Sequence, residues 1–165
     1  MTQPAFPSES TTLLLDGPAG ALEVAIYLPE PADARPLLAV VCHPLPTEGG
    51  TMHNKVVTMV ARALRELGAT TVRFNFRGTG GSAGAFDHGK GEREDLRAVV
   101  EWARAGHPGH ALWLAGFIFG AYVSLSAAAA LRPDALISIA PPVAGRGWEF
   151  YDIDIPEVPC LVVQR

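Results

Sequence analysis

Residues 112–121, LWLAGFIFGA, restrict what this chain can fold into more than any other stretch. An apolar run of strand length passes directly into the frame Gly116, Phe117, Ile118, Phe119, Gly120, and from there into the charge-free segment 121–131. Glycines at the first and last positions of that frame predict a corner so tight that side chains there would collide with backbone. The strand before it is apolar on both faces, as in a parallel sheet covered by helices on each side. Ile118 stands at the tip of the corner, and it carries no hydroxyl or thiol.

The rest of the chain alternates in the same way. Residues 12–16 and 22–28 are short apolar runs joined by Gly17, Pro18, Ala19 and Gly20, which predicts an antiparallel hairpin. The run 37–42, LLAVVC, reads as a strand buried on both faces. In 54–67 the apolar residues Val56, Val60, Ala63, Leu64 and Leu67 share one helical face, and Gly68 is a suitable stop. A β-branched and aromatic strand follows at 70–76, then the glycine-rich stretch FRGTGGSAGAFDHGKG. Glu92, Glu94 and Asp95 place negative charge at the start of a helix that ends at Gly106. Beyond the corner, helix 121–131 stops at Arg132-Pro133, strand 135–140 follows, 141–159 is a loop, and 160–164 is a last strand. Residues 1–10 read as a loose polar arm on a single domain covering 1–165.

Composition excludes several classes. With 48% hydrophobic and 18% charged residues the chain has enough apolar side chain for a real core. Its net charge of −4, with Lys and Arg scattered, gives no footprint for nucleic acid. The N-terminus has no basic and apolar leader pattern, so the expected location is cytoplasmic. Cys42 and Cys160 fit neither a disulfide framework nor a metal pattern, and His107 and His110 sit in a Pro/Gly turn without partnering ligands, so no metal is expected.

Four stretches together resemble the α/β-hydrolase superfamily, especially its small bacterial serine esterases without a large cap, which are similar to dienelactone hydrolases: CHPLPTEGGTMHNKVV, RFNFRGTGGSAGAFDHGKGE, LWLAGFIFGAYVSL and ISIAPPV. The resemblance implies an α/β-hydrolase fold, a mostly parallel sheet covered by helices on both faces. It also implies that the corner is a nucleophile elbow, G-x-S-x-G, with Ile118 where the serine belongs and Gly116 and Gly120 as its glycines. Backbone N–H groups of Phe119 and Leu45 would form the oxyanion hole, Leu45 because its neighbours Pro44 and Pro46 have no N–H. His43, Arg77, Gly78 and Ser82 would border the site on its two edge loops. No cofactor is implied, and the ligand would be a small ester or acyl compound.

In the family the acid follows the strand that here reads CLVVQ, and the histidine comes later still; this chain ends at Arg165. Serine, acid and histidine are thus all missing from their family positions, and the expectation is an incomplete domain, truncated after the seventh strand and inactive by itself. The apolar strand 160–164 would then be an exposed edge open to self-association. An alternative on the same fold is a non-catalytic binding protein.

Other readings compete on paper. Ser82, Ser124 and Ser126 are the nearest hydroxyls, but their positions suit backbone bonding. Cys42 beside His43 resembles a thiol and its base, yet neighbours on a strand point to opposite faces. In the family's strand order Cys42 and Cys160 lie about 14 Å apart, too far for a disulfide. Residues 78–83 match G-x-G-x-x-A, but AFDHGKG separates them from the helix that would have to hold a dinucleotide. The charge-free stretch 111–131 contains G-x-x-x-G and is long enough to span a bilayer; strand, elbow and helix explain it piece by piece, and no aromatic belt frames it.

Overall fold

The computed structural model describes residues 2–143 and 147–164. Among the described residues seven strands and three α-helices follow in the order β1 (Thr11–Gly17), β2 (Gly20–Tyr27), β3 (Leu37–Cys42), α1 (Lys55–Glu66), β4 (Thr70–Phe74), α2 (Lys90–Ala105), β5 (Ala111–Phe117), α3 (Phe119–Leu131), β6 (Ala135–Ile139) and β7 (Cys160–Val163). The strands form one sheet in the order β1-β2-β4-β3-β5-β6-β7. β1, β2 and β4 pair antiparallel, and every pairing from β4 through β7 is parallel. This is the mixed sheet of the α/β-hydrolase fold.

Alternation along the central strands divides the core. Leu38, Val40, Leu112 and Leu114 point to one face, where α2 and α3 cover them with Leu96, Val99, Val123 and Ala127. Leu37, Ala39, Val41 and Ala115 face α1 through Val57, Ala61 and Leu64. Helix boundaries follow local chemistry. The Asn54 side chain accepts from the N–H groups of Val56 and Val57 and so caps α1. α2 begins two residues earlier than its acidic cluster suggests. Glu92, fully buried, reaches back to the N–H groups of Asp87 and Gly89, so it acts as a specific cap rather than a diffuse charge. α3 likewise starts at Phe119, because the corner itself is its first turn.

The N-terminal arm is not loose. Gln3 bonds Asp16 on β1 at both its N–H and its carbonyl, Trp102 donates to Pro4 O, and the Phe6 ring lies 4.8 Å from Trp102 and 4.3 Å from His107. Composition suggested a solvated arm; one phenylalanine in the groove beside α2 is enough to dock it. His107 is correspondingly half-buried rather than a free turn residue.

The stretch 111–131 divides into β5 and α3, and no helix among the described residues is long and apolar enough to cross a membrane. Within the loop 141–159, residues 144–146 lie outside the described residues, and Trp148, Phe150, Ile153 and Val158 pack against the α2/α3 side of the core. On β7, Leu161, Val162 and Val163 are exposed.

Candidate functional site: the corner between β5 and α3

β5 ends at Phe117, and the chain reverses at Ile118 with φ 54° and ψ −109°. Two close approaches impose this. A Cβ on Gly116 would lie 2.3 Å from the carbonyl carbon and oxygen of Gly120, and one on Gly120 would lie 2.2 Å from the Cys42 carbonyl oxygen. Neither position has room for a side chain, so β5, the first turn of α3 and the end of β3 meet backbone to backbone. The Ile118 N–H donates to Ile139 O, and its carbonyl accepts from Ala121 and Tyr122.

A β-branched residue at positive φ is strained by about 1–3 kcal/mol. A serine meets less steric resistance there, so Ile118→Ser is expected to leave stability unchanged or raise it by about 1 kcal/mol, a Tm gain of roughly 2–4 °C for a chain of this size. A clear fall in Tm by calorimetry would count against a strained corner.

The contact of Gly120 with the end of β3 brings the loop 43–51 against the start of α3. Among the described residues neither Leu45 nor Phe119 uses its N–H in a backbone hydrogen bond. Phe119 is at the first helical position, where no intrahelical acceptor exists. Leu45 O accepts from Glu48 and Gly50, closing one 3-10 turn at Pro46–Glu48 with Gly49 at φ 82°. A Cβ on Gly50 would lie 2.1 Å from Pro44 O, which keeps this loop compressed.

His43 is interior rather than on the site's edge. It is fully buried, its Nε2 accepts from the Phe76 N–H at 3.0 Å, and its Nδ1 lies 2.7 Å from Pro44 O. That pattern fixes the neutral tautomer with the proton on Nδ1. Burial lowers its pKa from 6.5 to about 4, against the opposing pull of the Pro44 carbonyl. The unfolded chain therefore binds a proton that the folded chain refuses between those two values. Stability from this group is full above pH 6.5 and falls as pH drops toward 4, by about 2 kcal/mol between pH 7 and pH 5. Urea unfolding at the two pH values checks this, and the slope should shrink markedly in a His43→Gln variant, leaving the smaller contribution of His110, whose pKa is also lowered by burial and by His107.

The glycine loop is built from within. Arg77 forks onto Asp95, with Nη2 to Oδ1 at 2.8 Å and Nε to Oδ2 at 3.1 Å, while its own N–H bonds the same carboxylate. The hydrogen bonds to Asp95 hold the Arg77 guanidinium above its ordinary pKa. Ser82 is also interior: its hydroxyl donates to Asn75 O and accepts from the Glu23 N–H. Asn75 in turn binds the Met52 N–H and the Glu23 carboxylate. Gly78 and Gly80 adopt φ 75° and 52°. The glycine run opens no helix, since α2 begins only at Lys90. Ser124 and Ser126 donate to the carbonyls of Ala121 and Tyr122 within α3. Burial pushes the Cys42 thiol well up, and both cysteines are free.

Between the two loops lies a cavity of about 300 Å³, lined by Pro46, Thr47, Gly49–Thr51, Arg77–Gly80 and Phe86. The Phe86 ring stands 5.7 Å from Phe119, which is also ringed by Phe76 at 5.6 Å and Trp148 at 5.1 Å. These aromatic neighbours, the half-buried partner Glu23, and the bonds made by the buried Asp95 and Glu92 did not emerge from the sequence. From sequence Asp95 was legible only as part of the negative charge at the start of a helix, not as the partner of Arg77. Among the described residues no group of three His, Cys, Asp or Glu side chains gathers as a metal site.

The family model of the X-Pro dipeptidyl-peptidases (S15 family) matches residues 16–153. A crystal structure from Xanthomonas campestris, described as a member of the α/β serine hydrolases without lid, is 67% identical; it covers 96% of this chain and 72% of its own, with a TM-score of 0.91. An α/β serine hydrolase homologue from Coxiella burnetii is 46% identical over 97% of this chain and 76% of its own, with a TM-score of 0.89. An uncharacterized protein of Rickettsia prowazekii is 37% identical over 134 residues, and this chain spans 55% of that curated relative's length. Sequence and overall structure thus agree, and the chain belongs to the X-Pro dipeptidyl-peptidase (S15) family of the α/β serine hydrolases.

Proposed function

We propose that the site at Ile118 receives small ester or acyl compounds and, in the chain as it stands, does not hydrolyse them. The observation that carries this reading is Ile118 itself, at the tip of the elbow, together with Leu45 and Phe119 N–H groups that have no backbone acceptor among the described residues. Those two groups are the donors that would hold an acyl oxygen. The reagent that would attack the acyl carbon has no counterpart at the tip. His43 is no substitute base, since its ring is buried and both nitrogens are engaged.

The same donors favour a second reading, a binding protein on a hydrolase frame, because an oxyanion hole needs no nucleophile to bind an acyl ligand. Hydrolysis of p-nitrophenyl acetate separates the possibilities. Three proteins are compared: the chain as it stands, Ile118→Ser, and Ile118→Ser in a chain carrying the full length of its relatives. Turnover by the third alone supports the esterase-like reading. Turnover by the first overturns it and places the nucleophile elsewhere.

A further inference from the structure

A single buried side chain ties together the two loops that enclose the cavity. Asn75, the residue after the end of β4, is 1% exposed, and its backbone and side-chain polar groups are all bonded. Its N–H donates to Glu23 O at 2.9 Å, and its carbonyl accepts from the Ser82 hydroxyl at 2.6 Å. The side chain divides between two partners: Oδ1 accepts from the Met52 N–H at 2.8 Å, and Nδ2 donates to Glu23 Oε1 at 2.7 Å. Glu23 Oε1 also accepts from the Gly81 N–H at 2.8 Å, and a Cβ on Gly80 would lie 2.5 Å from Asn75 Nδ2. The glycine loop is thus wrapped onto the same amide that holds Met52.

Met52 closes the other loop, 43–51. Its carbonyl accepts from Arg73 Nη1 at 2.6 Å, so side chains from the end of β4 hold both of its backbone groups. At the opposite end of that loop His43 Nε2 accepts from the Phe76 N–H at 3.0 Å. Leu45 stands between these anchors, in a segment stiffened by Pro44 and Pro46, and the Gly50 N–H donates to Leu45 O at 2.9 Å. A displacement of Met52 therefore reaches Leu45 through Thr51, Gly50 and one hydrogen bond.

We propose that Asn75 is a positioning residue of the site: it fixes the Leu45 N–H relative to the glycine loop and so sets the spacing of the two walls of the cavity. Asn75 is not among the residues that line that cavity, and it acts through Met52, Glu23 and Ser82. The inference rests on the reading of the elbow as a site for acyl compounds with Leu45 as one donor. The position requires a donor and an acceptor on one short fork, because Met52 brings an N–H and Glu23 a carboxylate. Aspartate would keep the acceptor and set one carboxylate against another.

Amide NMR of the full chain tests this in Asn75→Asp, Glu23→Gln and the double variant. Asn75→Asp is expected to shift the Leu45 and Gly81 amides together and to speed hydrogen exchange at both by about tenfold, as for loss of one hydrogen bond to a charged group. That change is measured beyond any at Leu114 in the middle of β5, which reports overall stability. Adding Glu23→Gln returns a donor to face the new carboxylate, and both amides should move back toward the parent. If Asn75→Asp does not fold, Glu23→Ala at its half-buried position serves instead. Glu23 makes no hydrogen bond with 43–52 among the described residues, so a shift of Leu45 in that variant travels through Asn75. In the Ile118→Ser protein carrying the full length of its relatives, Asn75→Asp should lower kcat for p-nitrophenyl acetate by about tenfold with KM within about twofold, since an oxyanion donor acts chiefly in the transition state. If that protein does not turn over even with Asn75 in place, the hydrolase reading fails, and the amide comparison still decides on Asn75. A Leu45 amide that stays while Gly81 moves, exchange no faster than the change at Leu114, or a double variant that does not recover overturns the proposal.

Discussion

A fluorophosphonate probe is expected to leave this chain unlabelled, and ester turnover is expected to stay within about 10³- to 10⁴-fold of the uncatalysed rate, the residue that an oxyanion hole and binding supply without a nucleophile. Loss of the serine in a triad costs about 10⁶-fold, or roughly 8 kcal/mol of transition-state stabilisation. None of the neighbouring groups offers a replacement. Ser82 and Ser124 are buried with their hydroxyls bonded to backbone, Ser126 donates to Tyr122 O, and burial keeps the Cys42 thiol protonated. A covalent adduct located by mass spectrometry on any of these would refute the expectation. Labelling should remain absent in Ile118→Ser alone, because no base has been restored with the hydroxyl.

The second large effect is expected away from the chemistry. Asp95 is fully buried and supplies both oxygens to Arg77, so Asp95→Ala leaves a mostly enclosed guanidinium without its paired carboxylate, with only the more distant charges of Glu92 and Asp87 to offset it. Breaking a buried pair from one side costs about 3–5 kcal/mol, which in a domain of this length lowers Tm by roughly 10 °C. Asp95→Asn should fall between, since its amide oxygen still accepts. Replacing Arg77 as well should recover part of the loss, because the double variant has no orphan charge. Equal melting temperatures for Asp95→Ala and the parent would mean that the pair contributes nothing. The pair also fixes the position of the site's second wall: Arg77 anchors the chain just before Gly78, and Phe86 leaves the same loop to meet Phe119.

What could be read from the sequence was whatever obeys a local rule. Periodicity placed every strand and helix, since a period of two or 3.6 residues needs no knowledge of the partner. Gly68, at φ 100°, and Asn54 stand at helix ends where their conformational or capping properties suit them, whereas Gly106 ends α2 in an ordinary right-handed conformation. The corner was legible because two glycines bracket it. Long-range partnerships were not legible. Nothing in 1–10 announces that Phe6 docks on Trp102, and nothing beside Ser82 announces that its hydroxyl joins Asn75 to Glu23 across 59 residues. His43 illustrates the limit well. A histidine in a loop at a sheet edge looks available, and only the approach of the Phe76 N–H from β4's end shows that it is a structural strut.

The corner also separates shape from purpose. Two absent side chains, at Gly116 and Gly120, hold β5, α3 and the end of β3 at backbone contact, and residue 118 is carried into its left-handed conformation by that contact whatever its chemistry. The geometry is an inheritance of the scaffold. A mutation that removes the reagent leaves the holder standing, strained but intact, and one base change could return the hydroxyl to a place already prepared for it. Superposition on hydrolases therefore measures kinship, and the side chains that the scaffold carries decide what chemistry goes with it.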